Sequence, residues 1–140
     1  MRYFVHNANE YKIDTNALFV GGYSAGAVTA LNLVYTTQAD SNLYFPSITQ
    51  ELGNINSSGN SLTDTFTIKG VFNNWGGISS YNYSQQRSVP IISFHGEKDM
   101  VVPIDMSNDS TCDGITAYSI YGSRALHKLL TKNGICNKLS

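Results

Sequence analysis

The chain has 140 residues, a net charge of -1, 41% hydrophobic residues and only 14% charged ones. Its length suits one domain, residues 1–140, with a modest core. The near-neutral balance leaves no basic footprint for nucleic acid or an anionic membrane surface, and no stretch reaches the ~18 apolar residues of a membrane span.

Asn, Ser, Thr and Tyr fill the surface in place of charge, a composition common in exported proteins and one that favours a secreted or periplasmic setting. The opening "MRYFVHNANEYKID" nevertheless lacks the long apolar run of a signal peptide. In chain order, Phe4, Val5, Ala8 and Tyr11 recur at helical spacing, so residues 3–11 read as the end of an amphipathic helix. "KIDTN" is a polar turn, and "ALFVG" is a short apolar run suited to a strand buried in a parallel sheet. Ala27, Val28, Ala30, Leu31 and Val34 then continue at helical spacing to Tyr35. Residues 38–65, rich in Asn, Ser and Gly, predict a long surface loop or lid-like insertion with at most a turn near "SITQEL".

A strand is expected over Ile68–Phe72 and another over Val89–Phe94, the latter opened by Pro90, which a strand start tolerates. Residues 117–135 read as a helix. Leu126, Leu129 and Leu130 form its apolar face, Ser123 caps it internally and Gly134 ends it. Strands alternating with helices predict an α/β fold with a mostly parallel sheet.

Two stretches carry chemistry. Gly22-Tyr23-Ser24-Ala25-Gly26 fits G-x-S-x-G between the first strand and its helix. A sharp strand-to-helix turn projects a serine hydroxyl clear of the sheet. It also leaves the N–H of the next residue, Ala25, aimed at a developing oxyanion. The second stretch, "HGEKDMVVP", follows a strand directly, so Asp99 sits at the carboxyl edge of the sheet, where open α/β sheets hold their ligands. A carboxylate there orients a histidine and stabilises its imidazolium. Read alone, Ser24 is also a glycine-rich structural turn, and Asp99 a turn former.

Cys112 and Cys136 match no metal or redox spacing and read either as two buried thiols or as a disulfide bracketing the last helix. Asn56, Asn82 and Asn108 open glycosylation sequons, a frequent match in Asn-rich chains. Asp105, Asp109 and Asp113 lack the ligand spacing of a cation site and read as a solvated loop. No metal or organic cofactor is implied.

Taken in order, "GGYSAGA", "GVFNNWGG", "VPIISFHGEKDMVVP" and "YGSRALHKLLTKNGI" resemble the α/β-hydrolase superfamily. Within it they resemble the esterase branch of feruloyl and acetylxylan esterases and polyhydroxybutyrate-depolymerase-like enzymes. The resemblance implies that Ser24 is the nucleophile, Ala25 an oxyanion donor and Asp99 the triad acid, with Tyr23, Trp75 and Gly76 lining the substrate. It implies a serine esterase acting on a small-molecule or polymer-linked ester. It also implies strands and an oxyanion loop ahead of the elbow, and a histidine after one further strand, so the chain matches a partial domain. Among its three histidines, His95 is the candidate substitute base, ahead of His127 and His6, which read as solvated. The competing expectation is a hydrolase-derived domain without catalysis, serving as a folding remnant or an assembly or binding module. Exposed sheet edges in a partial fold would favour a homo-oligomer.

Overall fold

The computed structural model describes residues 1–57, 59–79, 89–107 and 119–140. Two short helices, α1 (Arg2–His6) and α2 (Ala8–Tyr11), replace the single helix expected over residues 3–11, with the break at Asn7. Strand β1 (Leu18–Tyr23) leads through Ser24 into α3 (Ala25–Tyr35).

The expected loop over 38–65 is instead helical in its first half, as α4 (Gln38–Tyr44) and α5 (Pro46–Leu52). Neither helix depends on an apolar stripe. Thr37 and Asp40 close a reciprocal capping box on α4, and Pro46 opens α5 at a position where its missing N–H costs nothing.

Strands β2 (Ile68–Asn74) and β4 (Ile91–Phe94) fall where the apolar runs place them, with β3 (Gly77–Ser79) between them. After β5 (Met106–Ser107), the region expected to be one long helix starts as β6 (Ile120–Gly122), and α6 spans only Ser123–Lys132. Gly134, at φ 69°, ends the turn after it as expected. The closing residues form β7 (Asn137–Leu139).

Strands β1, β2, β4 and β7 make one sheet in the order β1-β2-β4-β7, every neighbouring pair parallel. A small antiparallel sheet, β3-β6-β5, lies beside it. The chain is therefore α/β, mostly parallel, as its alternating pattern predicts. Helix α3 brings Leu31, Val34 and Tyr35 onto one face of the main sheet, and α6 brings Leu126 and Leu130. There they meet Leu18, Ile68, Val71, Ile78 and Ile91. Truncating a fully buried leucine such as Leu31 or Leu126 to alanine costs about 2–5 kcal/mol in such a core.

Among the described residues no helix is long and apolar enough to cross a membrane. Cys136 is exposed and unpaired, so the buried-thiol expectation fails for it. Cys112, Asn82, Asn108, Asp109 and Asp113 lie outside the described residues.

Candidate active site

The parallel sheet gives all four strands one carboxyl edge, and backbone hydrogen bonds lock that edge from strand to strand. Ser24 N–H donates to the Asn74 carbonyl (3.0 Å), Trp75 N–H to Phe94 (2.8 Å) and His95 N–H to Ser140 (3.2 Å). The turns after β1, β2 and β4 are thereby held in mutual register.

Ser24 occupies φ 51°, ψ -121°. A residue with a Cβ avoids this region, and holding one there costs on the order of 1–3 kcal/mol. Packing on both sides enforces it. Strand and helix approach so closely that a Cβ on Gly22 would stand 2.4 Å from the Gly26 carbonyl carbon. Val28 N–H donates to the Ser24 carbonyl at 3.0 Å, closing the first turn of α3. The Ser24 side chain makes no capping bond to the leading N–H groups of α3, Ala25 foremost, and no hydrogen bond from the Ala25 N–H is found among the described residues. Ser24 is half-buried and Ala25 is exposed. A half-buried serine thus stands at the positive end of a helix, beside N–H groups that its own side chain does not cap.

Asp99 lies in the turn after β4. Its Oδ1 accepts from Val101 N–H (2.8 Å) and Val102 N–H (3.0 Å). These two bonds, with the nearby His95 ring, hold its carboxyl below the usual carboxylate range. Oδ2 accepts no normal hydrogen bond among the described residues, its nearest cation-forming neighbour being His95 Nε2 at 3.6 Å. Strand β2 separates β1 from β4, which puts roughly 10 Å between their edges. A ring inserted from the edge could span that gap.

None of the three histidines is hydrogen-bonded to Ser24. His6 Nδ1 pairs with Asp64 Oδ2 at 3.0 Å, in the segment leading into β2 and so toward the opposite edge of the sheet. His95 is buried, with both ring nitrogens occupied. Nε2 lies 2.8 Å from the Val102 carbonyl and must donate to it, so in the neutral ring Nδ1 accepts from Ser123 Oγ at 2.7 Å. That engagement disfavours His95 as a substitute base for Ser24.

His127, expected to be solvated, is buried as well. Its Nδ1 faces Asn137 Oδ1 (2.7 Å) and its Nε2 faces Ser93 Oγ (2.8 Å). Burial pushes its pKa down, partly offset by the Asn137 bond. Asn73 joins the two histidine clusters by donating from Nδ2 to Ser93 Oγ and Ser123 Oγ, each at 2.9 Å. Its Oδ1 accepts from Gly76 N–H at 3.0 Å.

Periodicity gives Asn73 and Ser93 no role. Ser123, expected to cap the last helix internally, instead spends its hydroxyl on His95 and Asn73 while Gly122 takes the cap position. The one available hint is that Asn73 and Ser93 interrupt apolar strands. Asn74, at the end of β2, leaves Oδ1 buried without a donor, the kind of unsatisfied group that gathers at functional sites.

Trp75 also has positive φ (40°), and its ring lies 5.6 Å from that of Tyr23. The two residues expected to line a substrate therefore stand together beside the elbow, both exposed. Gly76, also expected on the substrate side, is buried. A cleft of about 560 Å³ lies elsewhere. Arg2, Phe66, Ile68 and Pro90 border it at the amino-terminal edge of the strands. Searches of protein-family models, curated proteins and solved structures found no match to this chain.

Proposed function

We propose that the chain is a serine hydrolase acting on carboxylic esters, built on part of an α/β-hydrolase fold. The observation that carries the reading is the strained Ser24 backbone at a strand-to-helix turn, beside uncapped N–H groups at the start of α3. An unstrained turn would place a serine there without cost, so this conformation calls for a reason. Presentation of a nucleophile supplies one.

In the reaction Ser24 Oγ attacks the ester carbonyl carbon and gives its proton to a base. The carbonyl oxygen takes the negative charge against Ala25 N–H. Collapse expels the alcohol, which leaves with the proton from the base. Water, deprotonated by the same base, then releases the acid from the acyl-enzyme. Asp99 would orient that base through Oδ2, since Oδ1 is committed to its own loop. The described histidines leave the base role unfilled, and a triad lacking one member retains only about 10³–10⁴-fold catalysis over water. Full activity therefore requires a base from outside these three.

A second reading, a hydrolase-derived domain that binds or assembles without catalysis, is favoured by the buried engagement of His95 and His127. A fluorophosphonate probe separates the two. Labelling of the wild-type chain that disappears in Ser24→Ala supports the nucleophile, and equal labelling of both ends the catalytic reading.

A further inference from the structure

The main sheet has two unequal faces. Register puts Phe19, Gly21 and Tyr23 of β1 beside Gly70, Phe72 and Asn74 of β2, with Ile92 and Phe94 of β4 and Lys138 of β7 continuing the rows. Helices α3 and α6 pack on the opposite face. On this one the aromatic side chains stand open, from 69% exposure for Phe19 and 62% for Tyr23 down to 39% for Phe72. Their rings form a chain: Trp75 against Tyr23 (5.6 Å), Tyr23 against Phe72 (6.5 Å) and Phe72 against Phe94 (5.8 Å). Parallel sheets are ordinarily covered on both faces.

We propose that a second copy of this chain covers this face, sheet against sheet, about a two-fold axis. Area supports that occupant. Scaling a fully exposed large side chain at about 200 Å², Phe19, Tyr23, Phe72, Trp75, Ile92 and Phe94 leave about 580 Å² open per copy. Two copies that cover these residues fully bury about 1,160 Å², past the ~1,000 Å² that a specific interface needs. A two-fold contact sets the face against itself, which requires a surface that tolerates its own image. Among the strand residues on this face, Lys138 is the only charged one. It lies on β7, the far side of the sheet from Phe19 on β1, where its amine reaches water at the rim. The net charge of -1 opposes association little. The contact lies on the sheet's face, whereas the sequence pattern points to the sheet's edges. It covers Tyr23 and Trp75, so in the dimer these two rings belong to the interface rather than to the substrate lining. It is tested by association alone, without reference to Ser24 activity.

The chain has a single tryptophan, Trp75, at the end of the aromatic row, and it serves as reporter. Sedimentation of the full chain from 1 to 100 µM should give a dimer mass at the upper concentrations, with Trp75 emission moving to the blue as the dimer forms. Phe72→Asp and, as a second variant, Phe94→Ser should each weaken association at least tenfold, with far-UV circular dichroism unchanged. A monomer at 100 µM with constant emission overturns the proposal. So does a dimer that survives both folded variants, since edge pairing would then be responsible. A chain that stays monomeric in buffer but shifts its emission on phosphatidylcholine–phosphatidylserine vesicles overturns it in favour of a lipid surface.

Discussion

Two serines invite comparison, because only one of them has a histidine. Ser123 lies 2.7 Å from His95, whose ring stands 3.6 Å from Asp99, a sequence of groups that looks like a catalytic relay. Yet Ser123 is completely buried, also accepts from Asn73, and sits in ordinary helical backbone at the start of α6. Ser24 has no histidine, but it has partial exposure, a strained backbone and helix N–H groups that its side chain leaves uncapped. Proximity to an imidazole marks a satisfied core network in one case. Backbone conformation and exposure mark the reactive candidate in the other.

The sharpest way to break that contrast is to remove each hydroxyl. Ser24→Ala should abolish fluorophosphonate labelling with the melting temperature nearly unchanged. Because the described triad already lacks its base, p-nitrophenyl acetate turnover should fall far less than the loss of a complete triad would give. Ser123→Ala should keep whatever labelling the wild type shows. It should lose about 1–3 kcal/mol in urea unfolding, because His95 Nδ1 loses its donor inside the core and Asn73 one of its acceptors. If the serines exchange these phenotypes, the assignment of the nucleophile is wrong.

The support beneath Ser24 can be tested without touching the hydroxyl. Gly22→Ala drives a methyl into the Gly26 backbone, which cannot yield as a side-chain tip would. A loss of about 3 kcal/mol in denaturant stability is expected, together with reduced labelling, as the turn relaxes. Unchanged stability would show that the strand and helix can separate freely and that the Ser24 conformation is not enforced by packing.

This contrast also explains what the sequence made legible. The elbow stood out because an apolar run, two glycines and a small-residue helix all describe one tight crossing. Strands β2 and β4 stood out because Ile68, Val71 and Phe72, and Ile91, Ile92 and Phe94, crowd bulky apolar residues into short segments. Helices α4 and α5 were hidden because capping and a leading proline define them rather than an apolar stripe. The T-x-x-D spacing of Thr37 and Asp40 was the signal to read. Strands β6 and β7, each three residues long, exist through their pairing partners and leave little periodicity of their own. The polar core was hidden for a related reason. Helical spacing sends His127 to solvent and gives Ser93 and Asn73 no partner, and only the fold reveals that they satisfy one another.

His127 gives that core a pH signature which Ser24 lacks. Its folded pKa is depressed, so the unfolded chain binds the proton more tightly. The associated stability is complete above the unfolded value of about 6.5 and is lost as pH falls through the folded one. Stability should therefore decline below about pH 6.5, by at most about 1.4 kcal/mol per pH unit from this group. In His127→Gln that part of the slope should vanish. Asp99, also depressed, acts in the same direction but only in the more acidic carboxylate range. An identical slope in both proteins between pH 5 and 6.5 would show that His127 is not the titrating group.

The smallest expected effect concerns the other glycine of the elbow motif. A Cβ on Gly26 would meet nothing within 4 Å, and its φ is not in the left-handed region, unlike that of Ser24 two residues before it. Gly26→Ala should therefore gain about 0.5–1 kcal/mol, because alanine loses less chain entropy within a helix. The motif's two glycines thus divide their work. Gly22 lets strand and helix touch, whereas Gly26 keeps the surface over the first turn of α3 low beside Ser24. If that low surface serves an incoming acyl group, Gly26→Ala should raise the melting temperature while slowing turnover of bulky aryl esters more than of acetate esters. A gain in stability with equal rates on both would mean that Gly26 is spared for no reason connected with the ester.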